Sequence, residues 1–233
     1  AAMISGAARE LFEELGVLVA RGGETLTKGQ RVSLVVDLEA GRMTWSALLK
    51  HYELYLDASD FTFVGRWVTP PFNVRRFDTW FFLVECPPKQ EPNVIAGELA
   101  SGEWLTARDA YDRWRQDQVV AVPPTLHALR SLAGGIAPDL VGRFLSIPEA
   151  HGRPERRITF RPNYICFPVR TPTRPPATHT CCYLVYNSKE ILIFDPGSPY
   201  EDEQEAVAAC VDEMNAEGRT VRVIAGDARH ADA

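Results

Sequence analysis

The sequence predicts an α/β protein of the α+β kind, built as two domains around a proline-rich connector. Three observations lead there. Helical periodicities alternate with short runs of β-branched and aromatic residues in the first 133 residues. The composition changes at Gly134-Gly135, which opens a stretch to Pro176 holding about half of the chain's 17 prolines. Beyond Pro176 the pattern reads strand, turn, strand, helix, strand. The expected division is therefore 1–133, a connector over 134–176, and a partial domain over 177–233.

The elements are justified in order. Residues 7–15 carry a helical pattern that Gly16 stops. A mostly helical stretch follows over 17–58, with Thr44 as N-cap for Trp45, Leu48, Leu49, Tyr52 and Leu56. Phe61–Val64 and Thr79–Val84 read as strands, separated by Pro70-Pro71 and Asn73. Glu103-Trp104-Leu105 is expected as a short strand, Thr106 as the cap of a helix to about Arg115, and Thr125 as the cap of another to about Leu132. In the connector, Arg157–Phe160 and Tyr164–Phe167 are expected strands. Cys182–Tyr186 and Ile191–Phe194 form the next pair, the second ending in Asp195-Pro196-Gly197. A helix at about 201–217 and a strand at Val221–Ile224 complete the reading.

Composition narrows the function. Hydrophobic residues make up 45% and charged residues 24% of the 233, the balance of a folded globular chain. A net charge of −6 argues against nucleic acid or a membrane surface as partner. It leaves room for a phosphate-bearing small molecule if a metal supplies positive charge. No apolar run reaches the roughly 20 residues that span a bilayer. Five cysteines, odd in number and without a Cys-x-x-Cys pair, read as reduced thiols of a cytoplasmic protein. Both ends of the sequence read as cut.

The most informative segment is Arg9-Glu10-Leu11-Phe12-Glu13-Glu14-Leu15-Gly16-Val17. At 3.6 residues per turn, Ala8, Leu11, Phe12 and Leu15 share a face that can be buried. Glu10, Glu13 and Glu14 stand at i, i+3 and i+4 on another. Their mutual repulsion costs a few tenths of a kcal/mol per pair, and the helix C-terminus disfavours negative charge. A hard divalent cation relieves both conflicts by taking carboxylate oxygens. On spacing alone a solvated acidic helix face remains open. Gly16 permits a left-handed cap, so the chain can turn sharply after the last glutamate.

The complete string resembles the second half of the Nudix box, Arg-Glu-(aliphatic)-x-Glu-Glu-x-Gly-(aliphatic), at every specified position from Arg9 to Val17. The resemblance implies a Nudix α/β/α sandwich with a mixed sheet. It makes Glu10, Glu13 and Glu14 ligands of Mg²⁺ or Mn²⁺, Glu10 also a base for the attacking water, and Arg9 the ion-pair partner that holds the cluster. The box's first glutamate would fall on Ala1, and its leading glycine before the chain. Nudix proteins also carry a distant acidic residue ahead of a short Trp-bearing segment. Glu98 fills that role here as a further ligand or base, with Glu103 as second choice.

Arg75-Arg76-Phe77-Asp78-Thr79-Trp80-Phe81-Phe82, the preceding Thr69-Pro70 and the later Pro123-Pro124-Thr125 resemble one Nudix branch that includes coenzyme A diphosphatase-like enzymes. That implies a coenzyme A-type nucleotide substrate, with Arg75 and Arg76 binding its phosphates. The mechanism implied is metal-assisted hydrolysis of a diphosphate bond.

The second unit, with Thr178–Val185 and then Ile191–Gly197, resembles the opening of a metallo-β-lactamase-fold αββα domain. A His-x-His-x-Asp-His motif is expected at Ala228–Ala233, where only His230 and Asp232 match. Two ligands of four do not make a stable zinc site. Cys181-Cys182 reads as strand packing, with His179 as weak support for a reactive thiol. Two further functions stay open: a metallo-β-lactamase-fold hydrolase with an accessory Nudix-like domain, and a non-catalytic nucleotide-binding module.

Overall fold

A computed structural model describes residues 1–70, 72–73, 75–94, 99–146 and 156–226. The architecture is mixed α/β, as the sequence predicts, with two sheets among the described residues. The chain divides into two compact units. One comprises Ala1–Arg66 and Thr79–Trp104, the other Trp67–Asp78 and Leu105–Ala233. No helix among the described residues is long and apolar enough to cross a membrane.

The first unit is organised by α1 (Ala2–Leu15), α2 (Lys28–Glu39) and α3 (Trp45–His51). The helical stripe on α1 is real: Ala8 and Phe12 are buried, and Leu11 and Leu15 pack half-buried beside them. Phe12 shares a core with Leu18, Leu26, Leu34, Val35, Leu48 and Leu54. The helix begins earlier than the periodic stretch indicates, because Ile4 continues the apolar spacing one turn back and packs beside Ala8. Helix α2 starts with a capping box, in which the Gln30 amide N–H donates to Thr27 Oγ1 and the Thr27 amide N–H donates to Gln30 Oε1. Thr44 caps α3 as expected, its hydroxyl accepting from the Ala47 amide at 3.2 Å.

Strands β1 (Thr62–Val68) and β2 (Asp78–Leu83) pair as a two-stranded sheet. An aromatic row joins them in the first unit. Phe61 meets Phe82 edge-on at 6.3 Å between centroids, and Phe63 reaches Trp80 at 5.3 Å. The short strand expected at Glu103-Trp104-Leu105 does not form. Those residues are exposed and without regular structure, since β-propensity needs a neighbouring strand to pair with.

In the second unit, α4 (Ala107–Arg115) starts at Thr106, whose hydroxyl accepts from the Asp109 amide at 3.0 Å. Helix α5 (Pro123–Ala133) starts at Val122 rather than at Thr125, because prolines in the first turn supply the helical φ and lack only N–H groups that would be unpaired anyway. The two helices are clasped by aromatic contacts. Tyr111 stacks on Trp114 at 5.6 Å, and the Arg130 guanidinium lies over both rings. A short helix, α6 (Leu140–Leu145), interrupts the stretch read as linker; its Leu140 and Phe144 are buried.

The five-stranded sheet runs β3-β4-β5-β6-β7 in order. It comprises β3 (Ile158–Arg161), β4 (Tyr164–Arg170), β5 (His179–Tyr186), β6 (Glu190–Phe194) and β7 (Thr220–Ile224). All pairs are antiparallel except β6 with β7, which are parallel and joined through α7 (Glu201–Met214). Alternate residues of the sheet, including Ile165, Phe167, Val169, Leu184, Ile191 and Ile193, pack against Val207, Cys210 and Val211 of α7. At the end of β6, Asp195 adopts φ 50°. Its amide donates to the Ile224 carbonyl at 2.9 Å, and its Oδ1 accepts from the Gly226 amide. Ala228–Ala233, where the zinc motif is expected, lie outside the described residues.

Candidate active site

The acidic face of α1 is built by the helix's own periodicity. With Ala8 and Phe12 committed to the core, Arg9 and Glu10 are exposed, while Glu13 and Glu14 sit at intermediate burial. Arg9 Nη2 bonds Glu10 Oε1 at 2.5 Å, and Arg9 Nε lies 3.9 Å from Glu13 Oε2. One guanidinium therefore spans two carboxylates on the same helical surface. The Glu13 carboxyl is held above its ordinary range. Partial burial is the largest cause, offset by Arg9, and the charges of Glu10 and Glu39 push in the same direction as burial.

Glu39 is a residue that periodicity on α1 does not reveal. It ends α2, and its charge is felt at Glu13 across 26 positions of sequence. Only the packing of α1 against α2 brings it there.

The turn after the acidic helix is fixed from three sides. Gly16 takes φ 65°, ψ 16°, and its amide donates to the Phe12 carbonyl at 2.9 Å, the left-handed cap that the sequence predicts. The Gly16 carbonyl accepts from Nε of the buried Arg31 at 3.2 Å, and Arg31 Nη1 donates to the Leu26 carbonyl at 2.8 Å. From the far end of the unit, the Asn93 amide donates to the Leu15 carbonyl at 3.0 Å. The Gln90 side chain closes on Leu18: Oε1 accepts from its amide at 2.8 Å, and Nε2 donates to its carbonyl at 3.2 Å. The backbone carrying the glutamates is therefore rigidly seated.

The chain is similar to a Nudix hydrolase. The solved protein, from Alicyclobacillus acidocaldarius, shares 34% identity with it over 55% of this chain and 59% of its own, with a TM-score of 0.48. The chain thus spans about 59% of that protein's length. No protein-family model matches it.

The other expected site residues fall as follows. Arg75 and Arg76 are exposed in the second unit, on the loop between β1 and β2. Arg75 stacks over the Phe77 ring at 5.1 Å, and Arg76 Nε donates to the Thr69 carbonyl at 2.9 Å. Glu98 lies outside the described residues, and Glu103 is exposed in the segment before α4. Among the described residues, no three His, Cys, Asp or Glu side chains converge as a metal-ligating group. The donor chemistry of α1 still suits Mg²⁺. That ion takes oxygen ligands, keeps several waters, and is held by one or two carboxylates together with substrate phosphates rather than by an all-protein cage.

Proposed function

We propose that this chain is a Nudix-type diphosphatase that hydrolyses a nucleoside diphosphate derivative of the coenzyme A class with Mg²⁺ or Mn²⁺. The observation that carries the reading is the Arg9–Glu10–Glu13 arrangement. A helix with one face in the core presents glutamates on another, and Glu13 among them holds its proton above the ordinary range, chiefly through partial burial and further through the crowding charges of Glu10 and Glu39. A divalent cation relieves that crowding.

Glu10 and Glu13 would hold the cation through carboxylate oxygens, with Glu14 and Glu98 completing the set. Bound there, it supplies charge neutralisation on the diphosphate and acidifies a water molecule. Arg9, which meets the carboxylates of both Glu10 and Glu13, would hold them on one helical surface. A glutamate of this set, with Glu10 as first choice, orients the attacking water and accepts its proton. Arg75 and Arg76 serve as phosphate-binding groups of the substrate.

The test is cleavage of a panel of diphosphate substrates, coenzyme A among them, with Mg²⁺ or Mn²⁺ added and then chelated. Metal-dependent release of two phosphate-bearing products from one panel member is expected. Failure to cleave any member, together with no calorimetric signal for cation binding, overturns the reading.

A second reading concerns residues 177–233, for which we propose a metallo-β-lactamase-type opening that keeps its fold without zinc. The succession β5, β6, Asp195-Pro196-Gly197, α7 and parallel β7 supports it. Prolonged dialysis against a chelator is expected to leave the unfolding of this unit unchanged. A loss of stability on chelation overturns it.

A further inference from the structure

Four of the five cysteines lie in the second unit, and the sheet sorts them by face. Cys182 points toward α7, where it is fully buried near Cys210. Burial, with the nearby Cys210 and Asp195 charges, pushes its thiol up to about 12, which leaves it inert. Cys166 and Cys181 occupy the opposite face. In the β4–β5 register, Cys166 stands across from Tyr183, and Cys181 stands across from Pro168. The two cysteines are therefore diagonal neighbours on one side of an antiparallel pair.

The diagonal is the close one. Tyr164 and Tyr183 occupy the equivalent diagonal positions one dipeptide along, and their rings meet at 5.6 Å. Cys166 is the strongest influence on the Cys181 thiol, and Tyr183, two residues along the same face of β5, is a smaller one. Accessibility divides the pair's roles. Cys181 is exposed and can meet a solute, whereas Cys166 is buried behind it.

We propose that Cys166 and Cys181 form a redox-active dithiol that a hydroperoxide converts to a disulfide across β4 and β5. This assignment is independent of the diphosphatase reading. In the first step the Cys181 thiolate attacks the peroxide. An S–O bond forms and the O–O bond breaks, leaving a sulfenic acid while the peroxide departs as hydroxide or alkoxide and takes a proton to become water or alcohol. In the second, the Cys166 sulfur attacks the sulfenic sulfur, and the S–O bond breaks with loss of water. Two thiols are oxidised and one peroxide is reduced. The neighbouring Cys166 and Tyr183 favour the Cys181 thiolate and lower its proton affinity below that of an ordinary thiol, while Cys166 is shifted upward. The division of labour follows: Cys181 attacks and Cys166 resolves. Diagonal neighbours stand farther apart than most disulfides span, so closing the bridge asks the two strands to shift and leaves it readily reduced rather than permanent.

The experiment treats the intact protein with stoichiometric hydrogen peroxide, alkylates it after unfolding, and maps the cysteines by mass spectrometry. A Cys166–Cys181 linked peptide, reversed by dithiothreitol, is expected. C166S is expected to stop at a dimedone-reactive sulfenic acid on Cys181, and C181S to leave Cys166 reduced. The pH profile of Cys181 alkylation is expected to level off with a midpoint below the free-thiol value of about 8.5. The proposal is overturned if Cys181 is oxidised while Cys166 stays alkylatable, if Cys181 bridges to any other thiol, if neither is oxidised, or if the profile midpoint is not lowered.

Discussion

Gln90 holds the backbone of Leu18 as a neighbouring strand would. Its buried side-chain amide gives and receives one hydrogen bond with the Leu18 backbone, at 3.2 and 2.8 Å, across 72 positions of sequence. The pair anchors the segment that leaves the acidic helix to the far end of the first unit.

Gln90→Ala leaves a buried amide N–H and a buried carbonyl of Leu18 unpaired. Each unmet group costs about 1–3 kcal/mol, so a loss of about 2 kcal/mol or more is expected in the denaturant midpoint of the protein. A midpoint unchanged from wild type shows that water or another group takes over both bonds.

Gly16→Ala forces a Cβ into the left-handed region at φ 65°. The expected cost is roughly 1–2 kcal/mol. Thermal unfolding measures it, and turnover with saturating Mg²⁺ is expected to fall as well, because Gly16 sets the exit of the helix that bears the glutamates. A stable variant with wild-type unfolding contradicts the left-handed cap.

Glu13→Gln keeps the shape of the side chain and removes its charge. Under the proposed mechanism kcat falls by about 10² or more, the scale on which loss of a positioned electrostatic group acts in phosphoryl chemistry. Far-ultraviolet circular dichroism is expected to stay unchanged. Turnover near the wild-type rate in a folded variant removes α1 from the active site.

The same substitution has an opposite effect on stability. The folded protein holds the Glu13 proton more tightly than the ordinary carboxyl at 4.5. The native state therefore binds more protons than the unfolded state in that window, and stability falls as pH rises through it. Without added metal, Glu13→Gln is expected to match the wild type below pH 4.5 and to exceed it in unfolding free energy above. Adding Mg²⁺ should narrow the gap by stabilising the wild type alone. A gap that widens toward acid refutes the assigned cause.

Periodicity revealed the parts of this protein that depend on neighbours in sequence. The buried stripe of α1, the left-handed Gly16, the Thr44 and Thr106 caps and the strand pair ending at Asp195 all follow from spacings of four residues or fewer. Contacts that span tens of residues left no such signal. Glu39 beside Glu13, Arg31 under Gly16 and Gln90 against Leu18 are polar residues on segments where nothing local distinguishes them from surface. Helix α6 was hidden for a related reason. Six residues cannot sustain a helix alone, so it depends on burial of Leu140 and Phe144 and on the His127 ring nitrogen that meets the Phe144 carbonyl at 2.8 Å. Of the candidate site, the shared acidic face of α1 with its arginine was legible as a pattern, and the clamps that hold its backbone were not.

The crossover that brings β7 beside β6 also orders events in time. Strands β4, β5 and β6 can zip through local antiparallel turns, but β7 finds its place only after α7 has formed and returned the chain to the sheet. Closing that longer loop is entropically slower and its contacts are repaid last. With all five of its residues solvent-exposed, β7 also has little to hold it once the hydrogen bonds to β6 open. The antiparallel side of the sheet is therefore expected to form first, and β7 to open first.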